Sequence, residues 1–135
     1  MKKVYQVEKD NYEDAGKVST DIKRTLKSIG IDRIVLKAVA IACYEAEMNI
    51  VIHSDGGTVT FEIDDEGLIQ LLFDDIGPGI EDLELAQKPG YSTASAKARS
   101  LGFGAGMGLY NMKSVASFFE MTSSKEGTHI RMTFQ

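Results

Sequence analysis

From Arg33 to His53, RIVLKAVAIACYEAEMNIVIH, apolar residues fall on almost every face of a helical projection, a pattern that predicts a central helix covered by other elements. Asp32 is placed to be its N-cap. Upstream, Asn11 to Ile29 reads as a polar amphipathic helix closed by Gly30, and Val4, Gln6 and their neighbours as a short strand before it. After Gly56 and Gly57 the period switches to two. TVTFEID alternates, DEG turns the chain and LIQLLFD continues, which predicts a β-hairpin from Thr58 to Asp74. A long loop is expected from Gly77 to about Gly104, with a short helical patch at Asp82 to Gln87; loops of that length in compact domains are usually lids or disordered segments. Met107 to Phe119 reads as a third helix, and Glu120 to Ser124 and Thr128 to Gln135 as closing strands around a Lys125-Glu126-Gly127 turn.

Composition narrows this to one α/β domain spanning residues 1–135, because 135 residues at 43% hydrophobic content are enough for one core. The balance of 15 basic against 20 acidic residues, net −5, argues against direct nucleic-acid binding, which draws on clustered cations. Cys43 is the single cysteine, so no internal disulfide forms, and a reducing cytoplasm suits the chain. The N-terminus MKKVYQVEKD has no apolar signal core. The longest apolar tract, Ile34 to Ile52, is interrupted by Lys37, Glu45 and Glu47, so no membrane association is expected.

Chemistry-bearing residues gather in three places. Glu45 and Asn49 lie four apart and share one face of the central helix. There the carboxylate is suited to draw a proton from a nucleophile and the amide oxygen to bind Mg²⁺, although local backbone hydrogen bonds would use both side chains equally well. Glu47 faces another way and reads as solvated, and His53 near the helix end reads as a complement to the helix dipole. The second place is DDIGPGIED, Asp74 to Asp82, directly after an apolar strand. Gly77, Pro78 and Gly79 force a turn that a flat ligand can approach, and Asp75 is suited to accept a hydrogen bond from an exocyclic amine; ordinary turns use the same residues. The third is GFGAGMGLYN, Gly102 to Asn111, where four glycines alternate just ahead of a helix. That spacing fits neither G-x-G-x-x-G nor G-x-x-x-x-G-K-[ST], which leaves a glycine hinge whose last amides face an anion, or a plain flexible turn.

Taken in order, E-x-x-x-N on a helix, D-x-G-x-G after a strand, a long loop, G-x-G-x-G before a helix and G-T near a final strand resemble the GHKL ATPases, the Bergerat ATP-binding fold shared by gyrase and sensor histidine kinases. Within that superfamily YEAEMNIVIH, GPGIEDLELAQKPGYST and GTHIRMTF resemble the small bacterial serine/threonine kinases of the RsbW, SpoIIAB and RsbT group, over about Met1 to Gln135. The resemblance implies a two-layer α/β sandwich: a mixed, mostly antiparallel sheet with helices on one face. It implies ATP and Mg²⁺ as cofactors, with Glu45 as general base and Asn49 as the metal ligand. Asp75 would bind the adenine amino group and Gly77 and Gly79 would line the adenine pocket. Gly104, Gly106 and Gly108 would lie along the phosphates, Arg99 would meet the γ-phosphate, and Thr128 would reach adenine through water. The stretch LGFGA before GMGL departs from the shorter RsbW-like lid.

In 135 residues neither the phosphorylated dimerisation helix of a histidine kinase nor a transducer domain is expected. The resemblance therefore implies a serine/threonine protein kinase that passes the ATP γ-phosphoryl group to a STAS-domain anti-anti-sigma protein and so regulates sigma-factor signalling. Two other roles stay open: an anti-sigma factor that acts mainly by binding a sigma factor, and an RsbT-like stressosome switch that activates a PP2C-type phosphatase. A second copy of the chain is a further candidate partner.

Overall fold

The computed structural model describes residues 1–80, 88 and 108–135. Of the expected loop, residues 81–87 and 89–104, with its helical patch and Arg99 and Gly104, lie outside the described residues, as does Gly106. Strand β1 (Lys2–Val7) is followed by helices α1 (Lys17–Ser28) and α2 (Arg33–His53), strands β2 (Gly57–Ile63) and β3 (Ile69–Asp75), helix α3 (Gly108–Val115), and strands β4 (Phe118–Ser124) and β5 (Gly127–Phe134). The strands form one five-stranded sheet in the order β1-β2-β3-β5-β4, and every neighbouring pair is antiparallel. This is the expected α/β sandwich, with the sheet antiparallel throughout the described residues.

Register explains the single core. Tyr5, Val59, Phe73, Ile130 and Met121 sit opposite one another across the sheet, as do Lys3, Phe61, Leu71, Met132 and Phe119 in the next inward row. Val59, Phe61, Leu71, Phe73, Ile130 and Met132 are buried with Val39, Ala42, Cys43, Ala46 and Ile50 of α2. The alternate row, Val4, Thr60, Leu72, Arg131 and Glu120, contains no buried residue, as period-two alternation requires of a sheet covered on one face.

The central helix has the expected bounds. Its N-cap is Asp32, whose Oδ2 accepts from the Ile34 amide at 3.1 Å. At its other end Ser54 Oγ donates to the Ile50 carbonyl at 2.6 Å and accepts from the Gly56 amide at 3.0 Å, turning the chain into β2. Gly30 closes α1: its amide bonds to the Lys27 carbonyl and the Ile31 amide to the Leu26 carbonyl, a paired arrangement that glycine favours at φ +77°.

Three expectations are corrected. Helix α1 begins at Lys17, not Asn11, since Asn11 and Asp14 exchange side-chain bonds in a turn and Gly16 takes φ +95°. Helix α3 stops at Val115 because Phe118 already pairs with Thr133, so strand pairing captures the last residues assigned to the helix. Glu47 is not solvated. It is 2% exposed, and its carboxylate accepts from the amides of Gly16 at 2.9 Å, Val18 at 3.4 Å and Ser19 at 3.0 Å. An anion from α2 thus occupies the N-terminus of α1, satisfying donors that a helix start otherwise leaves open.

Removing that acceptor strands two buried amides and a part-buried one, so Glu47→Ala is expected to cost about 2 to 4 kcal/mol. Urea unfolding of parent and variant measures it; a loss below about 0.5 kcal/mol, the range of an ordinary surface change, would show that the contact does not hold α1 in place.

Candidate functional site

Asp75 at the end of β3 and Thr128 on β5 are both buried polar residues. Asp75 is 8% exposed, and its Oδ1 accepts from the Thr128 amide on the adjacent strand at 2.8 Å. Burial pushes its carboxyl above the usual carboxylate range, opposed by the Thr128 hydrogen bond and the nearby His129. The bond to Thr128 engages one carboxylate oxygen and leaves the other for a second donor.

The turn after Asp75 is fastened on two sides. The Asp55 amide donates to the Ile76 carbonyl at 2.7 Å and the Ile76 amide to the Gly56 carbonyl at 2.9 Å, which joins the end of α2 to the turn. The Gly77 amide donates to the Glu126 carbonyl at 3.2 Å, and a Cβ on Gly77 would lie 3.3 Å from Ser54 Cα. Gly79 has φ +75°, and a side chain there would collide with the Ser124 carbonyl, so only glycine fits. Beyond it the Ile80 amide donates to Ser123 Oγ at 2.8 Å, and Ser123 Oγ pairs with Thr128 Oγ1 at 2.8 Å. Asp75, Gly77, Gly79 and Thr128 are therefore gathered around one sheet end. Ser123, the residue that ties the turn to Thr128, was missed; a serine in an alternating strand carries no local signal of a tertiary bond.

On α2 Glu45 is half-buried, and burial raises its carboxyl above the usual range. Its Oε1 accepts from Asn111 Nδ2 at 3.4 Å, a long contact from α3 that pulls the carboxyl the other way. A Cβ on Gly108, the first residue of α3, would stand 3.1 Å from Glu45 Oε2. Glu45 and Gly108 are thus brought together, and Asn111 joins them. Asn49 follows Glu45 one turn later on α2 and is also half-buried. At the last turn burial lowers the basicity of His53, which favours the neutral ring over a cation complementing the dipole.

A half-buried carboxylate on the face of α2, Glu45, and a buried one at the end of β3, Asp75, are the two carboxylates of the candidate site. The family described as histidine kinase-like ATPase domain matches residues 9–134. The chain belongs to this family. Among solved structures this ATPase domain is similar to the crystal structure of the RsbU and RsbW domains of Rv1364c from Mycobacterium tuberculosis, with a TM-score of 0.63 at 17% sequence identity. That match covers 97% of this chain and 32% of the other, a likeness of fold. A comparison with curated protein sequences finds no significant match.

If Ser123 holds the turn, Ser123→Ala frees the Ile80 amide. Its hydrogen exchange is expected to accelerate by about threefold to tenfold, the range of one modest hydrogen bond, while amides in α2 stay protected. Unchanged exchange at Ile80 would separate the turn from Thr128.

Proposed function

We propose that this domain binds Mg-ATP and transfers its γ-phosphoryl group to a serine or threonine hydroxyl of a separate STAS-domain protein, thereby regulating a sigma factor in the cytoplasm. The carrying observation is the buried Asp75 carboxylate held by Thr128 beside a glycine turn, in a chain of the histidine kinase-like ATPase family. That donor set suits an adenine: an acceptor for its amino group, a hydroxyl at Thr128, and at Gly77 and Gly79 a backbone without side chains. Asn49 would hold the metal through its amide oxygen, and Gly104, Gly106 and Gly108 would offer backbone to the phosphates, with Arg99 toward the γ-phosphate. Among the described residues no group of three or more His, Cys, Asp or Glu is placed to hold a metal ion.

When bound, Mg²⁺ would supply neutralisation of phosphate charge for an in-line transfer that releases ADP. The chain's own part is positional and protonic. Asp75 and Thr128 orient the base, and the Glu45 carboxylate takes the proton from the incoming hydroxyl. Because burial raises the Glu45 carboxyl, transfer should fall away on acidification at a pH above the usual glutamate range, as the base becomes protonated. A second reading, sequestration of a sigma factor with slow or absent transfer, draws on the likeness of fold to a structure containing an RsbW domain.

Asp75→Asn is expected to weaken ATP binding by about 1.5 to 3 kcal/mol, the worth of a hydrogen bond to a charged group. Calorimetry giving the parent's affinity would remove the adenine assignment. Glu45→Ala should keep nucleotide and partner but transfer phosphate about 10² to 10⁴ times more slowly, as expected for loss of a general base. Radiolabel transfer to a co-purified STAS protein measures this. Equal rates would reject the base, and a parent that binds tightly without transferring would favour sequestration.

A further inference from the structure

Glu45 is the one residue here for which orientation and proton affinity must both be right, and α2 supplies it with no hydrogen-bond partner among the described residues. The described partner comes from another element, 66 residues away, where Asn111 Nδ2 reaches Glu45 Oε1. Gly108 and Asn111 are three apart in α3 and so share the face turned toward α2. Gly108 leaves room for Oε2, while Asn111 donates to Oε1. One face of α3 thus meets Oε1 through the Asn111 amide and leaves space for Oε2 at Gly108. Asn111 is neutral and half-buried, and its amide nitrogen is a donor only, so it favours the ionised carboxylate over the carboxylic acid.

We infer that Asn111 is the positioning residue of the candidate general base, orienting the Glu45 carboxylate and keeping it available as a proton acceptor. The inference rests on the reading of Glu45 as the base. Its opponent is burial, which favours the protonated acid; the Asn111 bond acts in the other direction. Tyr44 lies next to Glu45 on α2 and feels its charge, and the ionisable residues of α3 are Tyr110 and Lys113. The hydrogen bond that Oε1 receives comes from the Asn111 amide. Loss of the amide therefore shifts the acid limb of activity to higher pH, because the base is then protonated at a pH where the parent's is not.

The test is a carboxyl ¹³C NMR titration of nucleotide-free parent, Asn111→Leu and Asn111→Asp, with Glu45→Gln identifying the Glu45 signal by its loss. In Asn111→Leu the Glu45 midpoint is expected to rise by roughly 0.5 to 1 pH unit, what a net hydrogen bond of ordinary strength corresponds to. In Asn111→Asp, close to isosteric, it should rise further and titrate in two steps, since neighbouring carboxyls resist joint ionisation. A purely structural asparagine would not produce that order. Midpoints equal to the parent's in both variants would overturn the inference, and Asn111→Asp carries the test alone if Asn111→Leu does not fold. The titration needs neither nucleotide nor partner, so it judges Asn111 even if the parent transfers no phosphate, a result that would count against the proposed function alone. Where transfer is measured, its acid limb should move with the NMR midpoint while KM for ATP stays the same; a limb that stays in place would equally overturn the role of Asn111.

Discussion

The burial of Glu47 against the start of α1 fixes how α2 is turned about its axis. A helix that is apolar on most sides can be buried at several rolls with similar hydrophobic gain. A carboxylate that must meet the amides of Gly16, Val18 and Ser19 removes that freedom. Two residues of helix correspond to about 200° of rotation, so holding Glu47 toward α1 turns Glu45 to the opposite side, where α3 lies. Asn49, four residues on, follows Glu45. The orientation of the candidate catalytic face is thus set from behind by a contact with no chemistry of its own.

Glu45, Glu47 and Asp75 are all raised above the ordinary carboxylate range by burial, so burial does not tell them apart. Their partners do. Glu47 receives three backbone amides, an arrangement that saturates an anion and makes it structural. Asp75 receives one at Oδ1, and Glu45 receives one long side-chain contact at Oε1. A buried carboxylate with unspent acceptor capacity is a place where another donor, a ligand amine or a hydroxyl proton, would be stabilised. The gradient from Glu47 to Glu45 runs from holding the fold together to being available for chemistry.

Much of this was legible in the chain because it is written locally. Period and caps gave α2 its full extent from Arg33 to His53, and alternation with the DEG turn placed the hairpin. The D-x-G-x-G turn stood out because glycine is needed there, and Gly79 against the Ser124 carbonyl supplies the steric reason. Tertiary bonds left no such mark. Glu47 looked like any polar residue on a helix until α1, some thirty residues upstream, was packed on it, and Asn111 closed a glycine motif without a role. The two misplaced helix ends differ in origin: a local Asn11–Asp14 turn and Gly16 at φ +95° hold back the start of α1, whereas the end of α3 is taken by the long-range pairing of Phe118 with Thr133.

The glycine cluster takes on a second meaning from its one described member. Gly108 was expected beside phosphate, where a missing side chain lets backbone amides reach an anion. An anion is already at hand: Glu45 Oε2 would lie 3.1 Å from a Cβ at that position. Glycine at the first residue of α3 therefore also admits the carboxylate to the helix start, where exposed amides carry partial positive charge. Asn111, one turn further along the same face, then meets the other carboxylate oxygen. If phosphate amides and the Glu45 contacts belong to the same short helix, any displacement of α3 alters both together.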